Sequence, residues 1–162
     1  MIALHITELK AFMSKLLTTN IFDDFLLQEA TLQMGIGYVI DGRINKAFYQ
    51  NEEDPLTERS TFITYGEVRS TLFDLIKGKR TPLGFQVLLQ LPPKKSAVLF
   101  PEGLDAHLIK GLVMNIRFDG SKALITSGIS YTSFSLDKAP ELIWDEAMMN
   151  FLRRAGISFE EV

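Results

Sequence analysis

This sequence predicts an α+β fold, an antiparallel sheet with helices packed on one face, and three observations carry that expectation. Two stretches, residues 8–18 and 64–77, repeat apolar residues at helical spacing, and a third such stretch closes the chain. Between them lie runs that alternate apolar and polar side chains with a period of two, and two of these runs end in Asp-Gly. The 162 residues are 46% apolar and 23% charged with no cysteine, so a core of ordinary size can form without disulfides.

Met1–Ile6 reads as a short first strand. Thr7 is the expected N-cap of a helix to about Thr18, whose apolar stripe is Leu9, Phe12, Met13, Leu16 and Leu17, with Asn20 as its stop. From Phe25 the period becomes two: Leu32, Met34, Ile36, Tyr38 and Ile40 share one side and run into Asp41-Gly42. Asp-Gly suits a type I′ turn, so a return strand is expected over Arg43–Tyr49. Gly35 and Gly37 then lie inside a strand, relieving crowding or permitting a bulge. Residues 51–60 read as a polar loop.

Thr64-Tyr65-Gly66-Glu67 has the pattern of a capping box, flanked by Ile63 and Val68 as a hydrophobic staple. Val68, Leu72, Leu75 and Ile76 form the buried stripe of that helix, and Lys77-Gly78 ends it. Phe85, Val87, Leu89 and Leu91 alternate as a strand that Pro92-Pro93 stops, with Ala97–Phe100 as its expected partner and a loop around 101–103. Leu112, Met114, Ile116 and Phe118 lead to Asp119-Gly120, where a two-residue turn sets Ile116 opposite Ala123 and Met114 opposite Ile125. The final helix is expected over about 138–155, with Asp137 as cap, Pro140 in the first turn and Arg153-Arg154 before Gly156.

The length fits one domain over residues 1–162. The 17 basic and 20 acidic residues give a net charge of -3, which argues against a uniformly basic nucleic-acid binder. No apolar run spans a bilayer and the N-terminal segment lacks a basic start, so the expectation is a cytoplasmic protein without a membrane anchor.

The two earlier helices align without gaps. Glu8-Leu9-Lys10 matches Glu67-Val68-Arg69, Met13 matches Leu72, and Leu16-Leu17 matches Leu75-Ile76. Any two amphipathic helices agree to this extent, so chance and duplication both stay open; a repeat would divide the chain at about 1–60 and 61–135. The strand–helix–strands order resembles the duplicated unit of sliding clamps over roughly residues 1–135. That resemblance implies a helical surface facing DNA phosphates, with Lys10, Lys15, Arg69 and Lys77 at the matching positions and Asp74 among them. The whole sequence is also similar to a small family of uncharacterised bacterial proteins of unknown function, which implies no activity.

No catalytic residue, metal site or cofactor motif is assigned. The two histidines, His5 and His107, lie far apart and lack carboxylate or histidine partners at ligand spacing. An enzyme built around His107 is the weakest reading. Asp23-Asp24 and Glu52-Glu53-Asp54 read as solvated turns, and Asp145-Glu146 as a water-facing pair. Lys79 and Arg80, beside Gly78, are the candidate phosphate or nucleic-acid contacts, with Lys94 and Lys95 in a turn placed nearby. Trp144, Met148 and Phe151, with Met149 and Leu152, spread too far around the last helix for a narrow stripe. They are either core or an interface to a second copy or a protein partner, with Trp144 its anchor. The leading reading is a non-catalytic binding or scaffold domain, as a homodimer or with another partner. The alternative is a nucleic-acid-associated clamp-like module.

Overall fold

The computed structural model describes residues 1–49, 61–101 and 106–162. In chain order its elements are β1 (Ala3–Ile6), α1 (Leu9–Thr18), β2 (Leu26–Gln33), β3 (Gly37–Asp41), α2 (Tyr65–Ile76), β4 (Gly84–Gln90), α3 (Pro93–Leu99), β5 (Ile109–Phe118), β6 (Ala123–Tyr131), α4 (Ala139–Arg154) and β7 (Phe159–Glu161). Short 3-10 turns occupy Lys46–Tyr49 and Ala106–Leu108. The α+β expectation holds, with every strand antiparallel to its neighbours in one seven-stranded sheet of order β3-β2-β4-β5-β6-β1-β7.

Alternation along each strand sorts the side chains to two faces. One inward row runs through Leu32, Phe85, Phe118 and Ala123, and the next through Ala30, Val87, Ile116, Ile125 and Leu4. These side chains share one core with Phe12 and Leu16 of α1, Tyr65 and Leu72 of α2, and Trp144, Met148 and Leu152 of α4. The outward row reads Val39, Thr31, Gln86, Arg117, Leu124, His5 and Glu160, which is mostly polar. The core-facing residues of the helices join only the inward set.

Several local expectations are corrected. Asp41-Gly42 is not a hairpin turn: the chain reverses at Met34–Ile36, where Met34 N–H donates to Ile36 O at 3.1 Å, and β3 ends at Asp41. Gly35 therefore lies in the turn rather than within a strand. Gly42 is required for a different reason, since a Cβ there would stand 1.8 Å from the Leu27 carbonyl oxygen. Arg43 forms an isolated bridge to Phe62, and among the described residues a 3-10 turn over Lys46–Tyr49 stands where the return strand was expected.

Pro92-Pro93 begins a helix instead of merely ending a strand. A proline in the first turn has no N–H to leave unpaired, so α3 occupies the stretch from which a partner strand was expected. The Asp119 hairpin closes one position later than expected, through Asp119 N–H to Lys122 O, which pairs Ile116 with Ile125. That slip of two preserves the inward face, whereas a slip of one would have inverted it.

Thr64 is the N-cap of α2 but its side chain makes no capping hydrogen bond, and the N-cap of α1 is Glu8 rather than Thr7. The N-cap of α4 is Lys138 rather than Asp137, whose side chain accepts from Ala139 N–H at 2.9 Å just before it. Gly156, with φ +72°, turns the chain out of α4. The two proposed repeat units contribute their strands to the same sheet, with β1 of the first paired to β6 of the second. No helix among the described residues is long and apolar enough to cross a membrane.

Candidate functional site

A mainly apolar cleft lies between α3, α4 and the segment that follows α1. Pro92 places α3 at the end of β4, and Lys95 and Ser96 N–H groups both donate to Pro92 O at 3.0 Å. On α4, Trp144, Met148 and Leu152 recur every fourth residue and point into the core, which leaves Ala147 and Phe151 on the flank that faces α3. Phe151 packs edge-on against Phe25 with centroids 5.2 Å apart and against Phe22 at 5.5 Å.

The resulting cleft of about 280 Å³ is walled by Ile21, Phe25, Leu91, Leu99, Trp144, Ala147 and Phe151. Asp24, Lys95 and Arg154 also line it, with Lys95 Nζ 3.5 Å from Asp24. A shallower depression beyond Ala147 continues past Ile143 and Asn150. Ala147 lines both.

A second recess of about 380 Å³ opens where α1 meets the end of α2. Leu9, Met13, Leu17, Ile76, Phe85 and Phe118 form its apolar walls, and Lys10, Lys77 and Arg80 also line it. Gly78, with φ +142°, lets the chain leave α2 and return toward β4 past Arg80.

Beneath α4, Ser127 is the one buried polar residue among those described, and its hydroxyl donates to Asp145 while accepting from Ile2 N–H at 2.9 Å. Asp145 thus does not face water as expected. No sequence pattern marks this pair, because strand and helix meet only in the fold.

Trp144 and Met148 are buried in this chain's own core, where the Trp144 indole N–H donates to Val113 O at 3.0 Å. Phe151 is half-buried and lines the cleft. Lys79 and Arg80 precede β4 while Lys94 and Lys95 follow it in α3, so the two basic pairs are not neighbours. Seven extended residues separate them, roughly 20 Å. The suggested common basic patch is therefore corrected to two separate places.

Of the four cations on the repeat helices, three are engaged. Lys15 Nζ donates to Ala155 O and Gly156 O at 2.8 Å each, Arg69 pairs with Asp23, and Lys77 lies 3.0 Å from Asp74. Asp23 is accordingly a largely covered ion-pair partner, whereas Asp24 is 84% exposed as expected, with Lys95 at 3.5 Å. His5 stands in the outward sheet row and His107 is exposed in its 3-10 turn. No group of three His, Cys, Asp or Glu is placed to hold a metal among the described residues. Glu52-Glu53-Asp54 lies outside the described residues.

The chain belongs to DUF5721, a family of unknown function, whose model matches residues 15–160. No curated protein and no solved structure matches the chain.

Proposed function

We propose that this member of a family of unknown function is a non-catalytic binding domain, and that the cleft between α3 and α4 takes a small, mainly apolar molecule. One observation carries the reading: an apolar recess of about 280 Å³ walled by Trp144, Phe151 and Phe25, with Asp24, Lys95 and Arg154 as its charged lining. Ligand pockets have this character, and this volume falls just below their usual range of about 300–1,000 Å³, which suits a small ligand. The aromatic walls offer ring faces and edges to a flat or compact ligand.

A nucleic-acid role has less support, since Arg69, Lys15 and Lys77 are engaged within the chain and Lys79 and Arg80 stand apart from Lys94 and Lys95. An enzyme centred on His107 has less still, because that imidazole is exposed in its 3-10 turn. A homodimer and a cytoplasmic location remain compatible proposals.

The sequence contains one tryptophan, so the Trp144 indole N–H gives a single resonance at the cleft wall. Titration with benzyl alcohol or cyclohexanol should shift that resonance saturably. Ala147→Phe, which fills the cleft from the α4 side, should abolish the shift while leaving the far-ultraviolet circular dichroism unchanged. A resonance that moves only linearly to the solubility limit, or moves equally in a folded Ala147→Phe variant, overturns the reading.

A further inference from the structure

We infer that the recess between α1 and the end of α2 is a second binding site, for a single-chain amphiphilic anion such as an alkyl phosphate or carboxylate. The argument is independent of the α3–α4 cleft. Lys10, Lys77 and Arg80 line this recess, and no carboxylate does. That charge imbalance arises in a protein whose net charge is -3, so the cations are concentrated here against the overall balance.

The recess is not a bare charged surface, because Met13, Ile76 and Phe118 line it beside those cations. Half-buried Met13 and Ile76 leave apolar area still exposed to water in the empty recess. A polar anion alone would leave that area uncovered, and a neutral alkane would leave the cations without a counter-charge. An anionic head with a short chain satisfies both.

Among the described residues, the carboxylate paired to these cations is Asp74, which meets Lys77 at 3.0 Å from the preceding turn of α2 with both side chains more than half exposed. An exposed pair of this kind contributes about 0–1 kcal/mol, so Lys77 is free to exchange Asp74 for a ligand. Lys10 and Arg80 make no ion pair among the described residues. Arg80 offers the planar fork that holds phosphate or carboxylate through two parallel hydrogen bonds. Lys79, the neighbouring cation, does not line the recess and serves as an internal control.

Calorimetric titration of the full chain with octyl phosphate below its micelle-forming concentration tests the assignment. Saturable binding is expected, weakened at least tenfold by Lys10→Ala with Arg80→Ala, changed less than twofold by Lys79→Ala, and reduced by added salt. Inorganic phosphate should bind at least tenfold more weakly, because it leaves the apolar walls wet. Equal affinity for inorganic phosphate would overturn the amphiphile assignment. So would binding confined to anionic phosphatidylglycerol vesicles with none to monomeric octyl phosphate, which would indicate a surface charge effect. Binding that survives intact in the double variant would place the ligand elsewhere and also overturn it. Ala147→Phe should leave this binding unchanged, which separates its failure from that of the α3–α4 cleft.

Discussion

Asp23 and Arg69 form a two-pronged ion pair, with Arg69 Nε 2.8 Å from Oδ1 and Nη2 3.1 Å from Oδ2. It fastens the segment after α1 to the first turns of α2, and the hydrogen bond to Asp23 pushes the guanidinium above its usual range. Gly66 permits the approach, since a Cβ there would stand 3.0 Å from Asp23 Cβ. Paired geometry with about three quarters of each side chain covered places this above an ordinary surface pair. Arg69→Ala and Asp23→Ala should each cost about 1–2 kcal/mol in urea unfolding. The double variant should cost less than the sum of the two, and full additivity would mean that the pair contributes no coupling.

Tyr65 lies beside that pair, fully buried, and its hydroxyl donates to Leu16 O at 2.8 Å. Burial pushes the phenol well above its ordinary value of 10.0, the Arg69 charge opposes this, and Asp23 adds to the rise. Burial likewise raises Tyr131, assisted by Glu141 and Asp137. A raised folded value means that the stabilisation is complete below the unfolded phenol value and is lost as pH rises beyond it. Unfolding free energy should therefore fall above about pH 10. Tyr65→Phe should cost about 1–2 kcal/mol at neutral pH and flatten that alkaline decline. An unaltered decline in the variant would assign it to other groups.

Ser127 and Asp145 tie β6 to α4, and the same hydroxyl receives the Ile2 N–H. Asp145→Ala should destabilise by about 1–3 kcal/mol because it strips a buried hydroxyl of its acceptor. Asp145→Asn, which retains an acceptor, should cost less. Thermal melts of the two variants read the difference, and equal losses would show that carboxylate charge rather than hydrogen bonding matters.

Gly42 and Gly35 offer a contrast within one stretch of chain. At Gly42 a Cβ would overlap the Leu27 carbonyl at 1.8 Å, whereas nothing lies within 4 Å of one at Gly35. Gly42→Ala should cost about 3 kcal/mol or prevent folding, while Gly35→Ala should fall within about 0.5 kcal/mol of the parent. Soluble yield and melting temperature distinguish them.

Much of this architecture was legible because periodicity reports burial directly. The alternation of Phe85, Val87 and Leu89, and the helical spacing of Leu9, Phe12 and Leu16, each mark a face that must find the core. What was misread depended on contacts between segments distant in sequence. Asp41-Gly42 has the composition of a hairpin turn, but its glycine answers to the Leu27 carbonyl pressed against it. Pro92-Pro93 halts a strand and starts a helix with the same ring, and composition does not separate the two. The binding recesses were the least legible part. The α3–α4 cleft joins Phe25, Leu99 and Ala147, which share no motif, and Arg80 drew notice for its charge while its apolar companions Met13 and Phe118 read only as core positions.

The pairing of Leu4 with Ile125 has a further consequence for how the chain is made. On the ribosome, β1 and α1 emerge early but gain no strand neighbour until β6 has been synthesised, and only then can β7 close the edge beyond them. A nascent chain halted before residue 123 would thus carry three strand edges that the finished sheet pairs, both of those on β1 and one on β5, each a template for intermolecular pairing. Completion of β6 joins β1 to the rest of the sheet, and α4 and β7 then complete the core and the edge.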